Sequence, residues 1–138
     1  TPADWEEVYK IMRTDVSQDS LIKRASVLLK AGKVDESADQ MKNLITIAES
    51  KSQTQPWGFV EWYNAACFFS LASSKAPDRK QEYLSRSIEL LNRAIKAGLP
   101  DLEAIDRDPD FDPLRETPEF KKLLEDLRGK SKPDQDEP

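Results

Sequence analysis

Trp62-Tyr63-Asn64-Ala65-Ala66-Cys67-Phe68-Phe69-Ser70-Leu71-Ala72 is the stretch that decides the fold. It belongs to a run from Phe59 to Ser73 that opens after Pro56 and Gly58 and closes before Ala76-Pro77-Asp78. The run shows no strand-like alternation, and it predicts a helix that is apolar nearly all round. Such a helix has no solvent face, so other elements must surround it.

On the N-terminal side, Leu21, Ala25, Leu28 and Leu29 recur at helical spacing between Gln18 and Ala31. Gly32 stops that helix, because glycine takes the left-handed conformation that ends one. Val34, Ala38, Met41, Leu44, Ile45 and Ala48 then define the next helix. Only Gly32-Lys33 separates the two, which predicts an antiparallel hairpin. Earlier still, a Thr-Pro start and the stripe Trp5, Val8, Tyr9 and Met12 predict a helix over 1–14.

On the C-terminal side, Ser73 to Asp78 reads as a loop and a new helix start, and Tyr83, Leu84, Ile88, Leu91, Ala94 and Ile95 carry the next helix to Gly98. Asp101 to Asp106 reads as a short helix. Asp108-Pro109, Asp112-Pro113 and Thr117-Pro118 each read as a cap followed by a first-turn proline. The last of these opens a helix whose apolar face is Phe120, Leu123, Leu124 and Leu127. From Gly129 the polar tail 129–138 is expected to be disordered.

Two helix pairs in tandem call for a repeat pattern of large and small residues. Leu21, Ala25, Leu28, Gly32, Ser37 and Met41 follow the tetratricopeptide pattern, with Leu44 where alanine is usual. Trp62, Ala66, Phe69, Ser87, Leu91 and Ala94 follow it again, interrupted by a nine-residue insertion placed around Ser74 to Arg79. Together with Asp108-Pro109-Asp110-Phe111-Asp112-Pro113-Leu114-Arg115 and Thr117-Pro118-Glu119-Phe120, the chain resembles the closing tetratricopeptide units of bacterial proteins. These include units that follow the kinase domain of some serine/threonine kinases. The resemblance spans Leu21 to Leu127 and implies an all-α fold, with antiparallel helix pairs in a short right-handed superhelix and a C-terminal capping helix. The divisions are an N-terminal helix (1–14), a first pair (18–49), a second pair (59–98) and a capping unit (101–128), all within one domain, 1–128.

The resemblance also implies a concave surface lined by the first helix of each pair. It names Ile22, Ser26, Leu29 and Lys30 from the first pair, and Val60, Tyr63, Asn64, Cys67, Ser70 and Leu71 from the second. Tyr63, Leu29 and Leu71 are the expected apolar anchors, and Asn64 the polar orienter of a bound peptide or helix. A groove filled by the chain's own terminal helix, in a capping or oligomerisation unit, is the open alternative. The chaperone-tail clamp of some family members is not implied, because Ile22 and Ser26 stand where its lysine and asparagine would be. Asn64, its one matching residue, is then expected to tie neighbouring helices together.

Composition narrows the chemistry. The 138 residues carry no histidine and a formal charge of −5. Without histidine there is no usual general base and no Ser–His or Cys–His pair. No enzymatic activity, catalytic residue, cofactor or metal is expected. No basic stripe suits nucleic acid, and no apolar run reaches the roughly 18–20 residues of a membrane span. Cys67 alone cannot form an internal disulfide, which favours a reducing, cytoplasmic setting, and its apolar helix predicts an inert thiol. Asp106, Asp108, Asp110 and Asp112 alternate like a calcium loop, but Pro113 stands where such a loop needs glycine, so capping is the better reading. Trp5, Trp57 and Trp62 read as packing anchors. A protein or peptide partner is expected, and a homodimer stays open.

Overall fold

A computed structural model describes residues 18–50 and 57–130. The expected N-terminal helix over 1–14 and residues 131–138 of the expected tail lie outside the described residues, while Gly129 and Lys130, expected to open that tail, continue the last helix. Those described are helical or turn throughout, with no strand: α1 (Gln18–Lys30), α2 (Val34–Glu49), α3 (Phe59–Lys75), α4 (Lys80–Lys96), α5 (Glu103–Arg107) and α6 (Pro118–Lys130). Two 3-10 segments, Pro77–Arg79 and Pro109–Leu114, precede α4 and α6. Among the described residues no helix is long and apolar enough to cross a membrane.

The glycine stops act through backbone geometry. Gly32 and Gly98 have φ of 87° and 101°. After α1, Lys33 N–H donates to the Leu28 carbonyl at 3.0 Å and Gly32 N–H to Leu29 at 3.0 Å. After α4, Leu99 N–H and Gly98 N–H repeat this with Ala94 and Ile95. Each is a Schellman closure that satisfies carbonyls the helix end would leave bare.

α3 is the centre. Trp62, Ala65, Ala66, Cys67, Phe68, Phe69, Ser70, Ala72 and Ser73 are all buried along it. Its start is fixed twice. Glu61 Oε1 accepts from Gly58 N–H at 2.7 Å, and Trp57 packs edge-on to Trp62 with centroids 4.8 Å apart. That tryptophan pair is a hydrophobic staple across the helix entry.

α3 and α4 run antiparallel in close contact. Successive contacts pair Phe69 with Tyr83, the Ala66 carbonyl with Ser87 Oγ at 2.7 Å, and Trp62 with the Arg93 guanidinium at 4.8 Å. Ser87, Ala66 and Ala94 are fully buried, so small side chains set this approach. α2 runs alongside α4 in the same direction, joined by Lys42–Glu82 and Glu49–Arg93 ion pairs. Being exposed, those pairs orient more than they stabilise.

Two expectations are corrected. The loop expected from Ser73 is shorter: α3 continues to Lys75, and Pro77–Arg79 forms the 3-10 start leading into α4. Ala76, held out of the helical region (φ −132°, ψ 79°) by the proline after it, is the actual break. Asp112 is not a helix cap either. The segment Pro109–Leu114 runs through Pro113, and the Asp112 carboxylate takes Arg115 Nε at 2.8 Å. Pro113 cannot donate back to the Asp110 carbonyl. Ser70 Oγ from α3 donates to that carbonyl instead, at 2.6 Å. Asp108 and Thr117 do cap, accepting from Asp110 N–H at 2.9 Å and Phe120 N–H at 3.2 Å.

Because Ser87 sits where two backbones meet, Ser87→Leu is expected to lower stability by about 3 kcal/mol through overpacking. Ser87→Ala is expected to lower it by about 1 kcal/mol through the lost hydrogen bond. Urea unfolding of both variants checks the order.

Candidate functional site

α1, α3 and the Pro109–Leu114 segment enclose a groove of about 620 Å³. From α1 it is lined by Ile22, Lys23, Ser26, Leu29 and Lys30. From α3 come Tyr63, Asn64, Cys67, Phe68, Leu71 and Lys75, and the third wall is Asp108 and Asp110. Helical spacing puts Ile22, Ser26 and Leu29 on one face of α1, and Tyr63, Cys67 and Leu71 on one face of α3.

Eight of the ten residues expected to line a concave surface meet in this groove. Val60 does not: it lies in the first turn of α3, 46% exposed. Ser70 lies beneath the third wall, fully buried and bonded to Asp110. Within the groove, Ile22, Leu29 and Phe68 form the floor, each 2% exposed. Leu29 is therefore a core side chain as well as a lining one. Ser26, Tyr63, Asn64 and Leu71 are half-buried and reach the open space. The Ser26 hydroxyl and the Asn64 amide make no hydrogen bond among the described residues. Lys23, Phe68, Lys75, Asp108 and Asp110 were not expected here. Lys23 and Lys30 share a face of α1 by their seven-residue spacing, a signal that was readable. The two aspartates reach the groove by long-range packing that local patterns do not encode.

The third wall is a polar network. Tyr63 O–H donates to Asp108 Oδ2 at 2.6 Å, and the Tyr63 ring meets the edge of Phe111 at 5.5 Å and 88°. The Cys67 thiol lies 3.9 Å from the same Oδ2. Arg115 braces the segment from behind, donating to the Asp108 carbonyl at 2.9 Å.

Burial, then the Asp108 hydrogen bond, pushes the Tyr63 hydroxyl far above its ordinary range. Burial, then the Asp108 charge, does the same to the Cys67 thiol. Neither group ionises near neutral pH, and a protonated buried thiol is a poor nucleophile. Burial and the neighbouring Asp108 charge also raise the Asp110 carboxyl.

Cys67, Asp108 and Asp110 have their ligand atoms within 4.8 Å of one another. Asp108 already uses both of its oxygens, accepting from Tyr63 and from Asp110 N–H. The alternating aspartates do not converge on one centre. Asp106 pairs with Arg115 and Arg128, and Asp112 pairs with Arg115.

Comparison of the chain with protein-family models gives no match. Comparisons with curated proteins and with solved structures give none either.

Asp108→Ala removes a cap and the Tyr63 partner together, and is expected to lower stability by about 2 kcal/mol in denaturant unfolding. Asp110 gives a pH signature. Its folded carboxyl is raised above its unfolded value, so the folded state binds the extra proton between those two pH values. Stability from this group therefore falls as pH rises through that window. Asp110→Asn is expected to flatten that part of the melting-temperature profile, above the ordinary carboxyl range, and to leave the protein at least as stable at pH 7.

Proposed function

We propose that the chain is a tetratricopeptide-like, non-catalytic interaction module that binds a peptide or helix of a partner protein in the groove between α1 and α3. One observation carries this reading. Two successive pair-opening helices present an apolar floor, and the Ser26 hydroxyl and Asn64 amide, which make no hydrogen bond among the described residues, stand over it. An extended peptide brings backbone donors and acceptors that such groups satisfy, while a side chain fills the space above Phe68 and Leu71. The repeat pattern supports the family reading: Ala25, Ser37, Met41, Ala66, Phe69, Ser87, Leu91 and Ala94 are all fully buried.

The capping alternative has an observation of its own. The Pro109–Leu114 segment already covers Ser70 and much of the inner face of α3 beside Tyr63 and Cys67. On that reading the C-terminal unit closes an array of helix pairs, and the groove is what remains beside it.

The test uses short random peptides selected against the whole chain and mapped by amide chemical shifts. The interaction module is expected to show its largest shifts at Ser26, Asn64 and Leu71. Ser26→Trp fills the groove from a half-buried position, and it is expected to abolish those shifts without unfolding the protein. Shifts confined to the outer faces of α2 and α4, or unchanged in Ser26→Trp, would favour the structural reading.

A further inference from the structure

We infer that Arg115 is the positioning residue of the groove: its guanidinium holds the Asp108–Asp110 wall against α3 and so fixes the width that an incoming segment meets. This rests on the peptide-binding reading of the groove and names the side chain, behind the wall, that shapes it.

Asp108 is where the wall turns. α5 ends at Arg107, and the Asp108 backbone is extended (φ −75°, ψ 118°) before the 3-10 segment begins. Its carboxylate serves the groove side, Oδ2 taking the Tyr63 hydroxyl and Oδ1 the Asp110 N–H. Its carbonyl takes Arg115 Nη2 at 2.9 Å. The same guanidinium donates from Nε to Asp112 at 2.8 Å and from Nη1 to Asp106 at 3.4 Å. One planar side chain thus ties the end of α5, the turn and the 3-10 segment into one piece. The Asp106 and Asp112 side chains are 47% and 66% exposed, so those two pairs add little alone. The part-buried, charge-assisted bond to the Asp108 carbonyl carries most of the hold. Arg115 is itself seated, its Cζ 5.9 Å from the ring centroid of the fully buried Phe120. A lysine offers a single nitrogen and no such fork.

In front of the wall lies a built-in reporter. Cys67, the chain's one cysteine, is 9% exposed, with its sulfur 3.9 Å from Asp108 Oδ2. That sulfur and the carboxylate oxygens of Asp108 and Asp110 lie within 4.8 Å of one another. An outward move of the wall uncovers the thiol and releases the Tyr63 hydroxyl. It also relieves the burial and the carboxylate charge that keep the thiol protonated. The far end of the wall has other anchors. Ser70 holds the Asp110 carbonyl, and Phe111 and Leu114 are fully buried. Without Arg115 the wall therefore swings at its Asp108 end rather than detaching.

The test is the rate of Cys67 alkylation by iodoacetamide in the whole chain, measured across low concentrations of urea. Arg115→Ala and the milder Arg115→Lys are compared with wild type and with two controls. Arg107→Ala removes exposed ion pairs to Asp101 and Glu103 on the same unit, and Ser87→Ala weakens the α3–α4 contact. Loss of the charge-assisted hold is expected to speed alkylation about tenfold in Arg115→Ala, and less in Arg115→Lys. Those rates should be indifferent to low urea, with a pH profile moved down toward that of an ordinary thiol. The Tyr63 ring signals should shift in the same two variants. Arg107→Ala should react like wild type, and Ser87→Ala only through a urea-dependent, global route. Wild-type rates in both Arg115 variants, or faster rates that follow urea as in Ser87→Ala, would overturn the inference. If Arg115→Ala does not fold, Arg115→Lys decides on the same two outcomes. Peptide binding is read separately. A peptide that Ser26→Trp blocks but that binds wild type and Arg115→Lys equally would keep the groove and overturn the role of Arg115. A loosened wall in the Arg115 variants, with no peptide bound by wild type, would overturn the peptide reading and keep Arg115 as the residue that holds the wall.

Discussion

Everything in this structure depends on α3 burying most of its circumference. Its buried residues run almost without interruption from Trp62 to Ser73. An isolated helix of that composition would expose its apolar side chains, so it must be enclosed by other elements. The rest of the described chain supplies the enclosure. α4 covers one side through small residues at Ala66, Ser87 and Ala94. The C-terminal segment covers another through Asp108, Asp110 and Phe111. α1 and α2 close in from the N-terminal side.

The C-terminal unit is more than a plug. Its sequence Asp108-Pro109-Asp110-Phe111-Asp112-Pro113-Leu114-Arg115 carries a defect, because Pro113 cannot complete the 3-10 bond to Asp110. Ser70 repairs that defect from a neighbouring helix. Capping, ring packing and an inter-helix hydrogen bond thus converge on a few residues. They also build one wall of the groove, so the elements that stabilise the C-terminal unit shape the candidate binding surface.

Much of this was legible in the sequence because the signals were local. Helical periodicity placed α1 to α4, and Gly32 and Gly98 ended their helices as a left-handed stop requires. The small residues Ala66 and Ser87 marked the close helix approach. What was not legible came from contacts between residues far apart in the chain. Nothing near Ser70 says that it will serve the Asp110 carbonyl, and nothing near Tyr63 says that its hydroxyl will meet Asp108. For the same reason Ser70 was expected in the groove rather than beneath it. Leu29, expected as an anchor, proved to be floor. Ser73 to Lys75 were read into a loop, whereas the break falls at Ala76 alone, between α3 and the 3-10 turn.

A groove held by a rigid central helix is preorganised, and a ligand entering it loses less free energy to ordering the protein. The most direct measurement is native-state amide hydrogen exchange along the whole chain in increasing denaturant. If α3 is the centre, the amides from Ala65 to Phe69 will exchange last, only through global unfolding, while α5 and the Pro109–Leu114 segment open earlier. If those α3 amides instead exchange through local opening while α6 stays protected, the structure is not organised around α3 and the groove is not preformed.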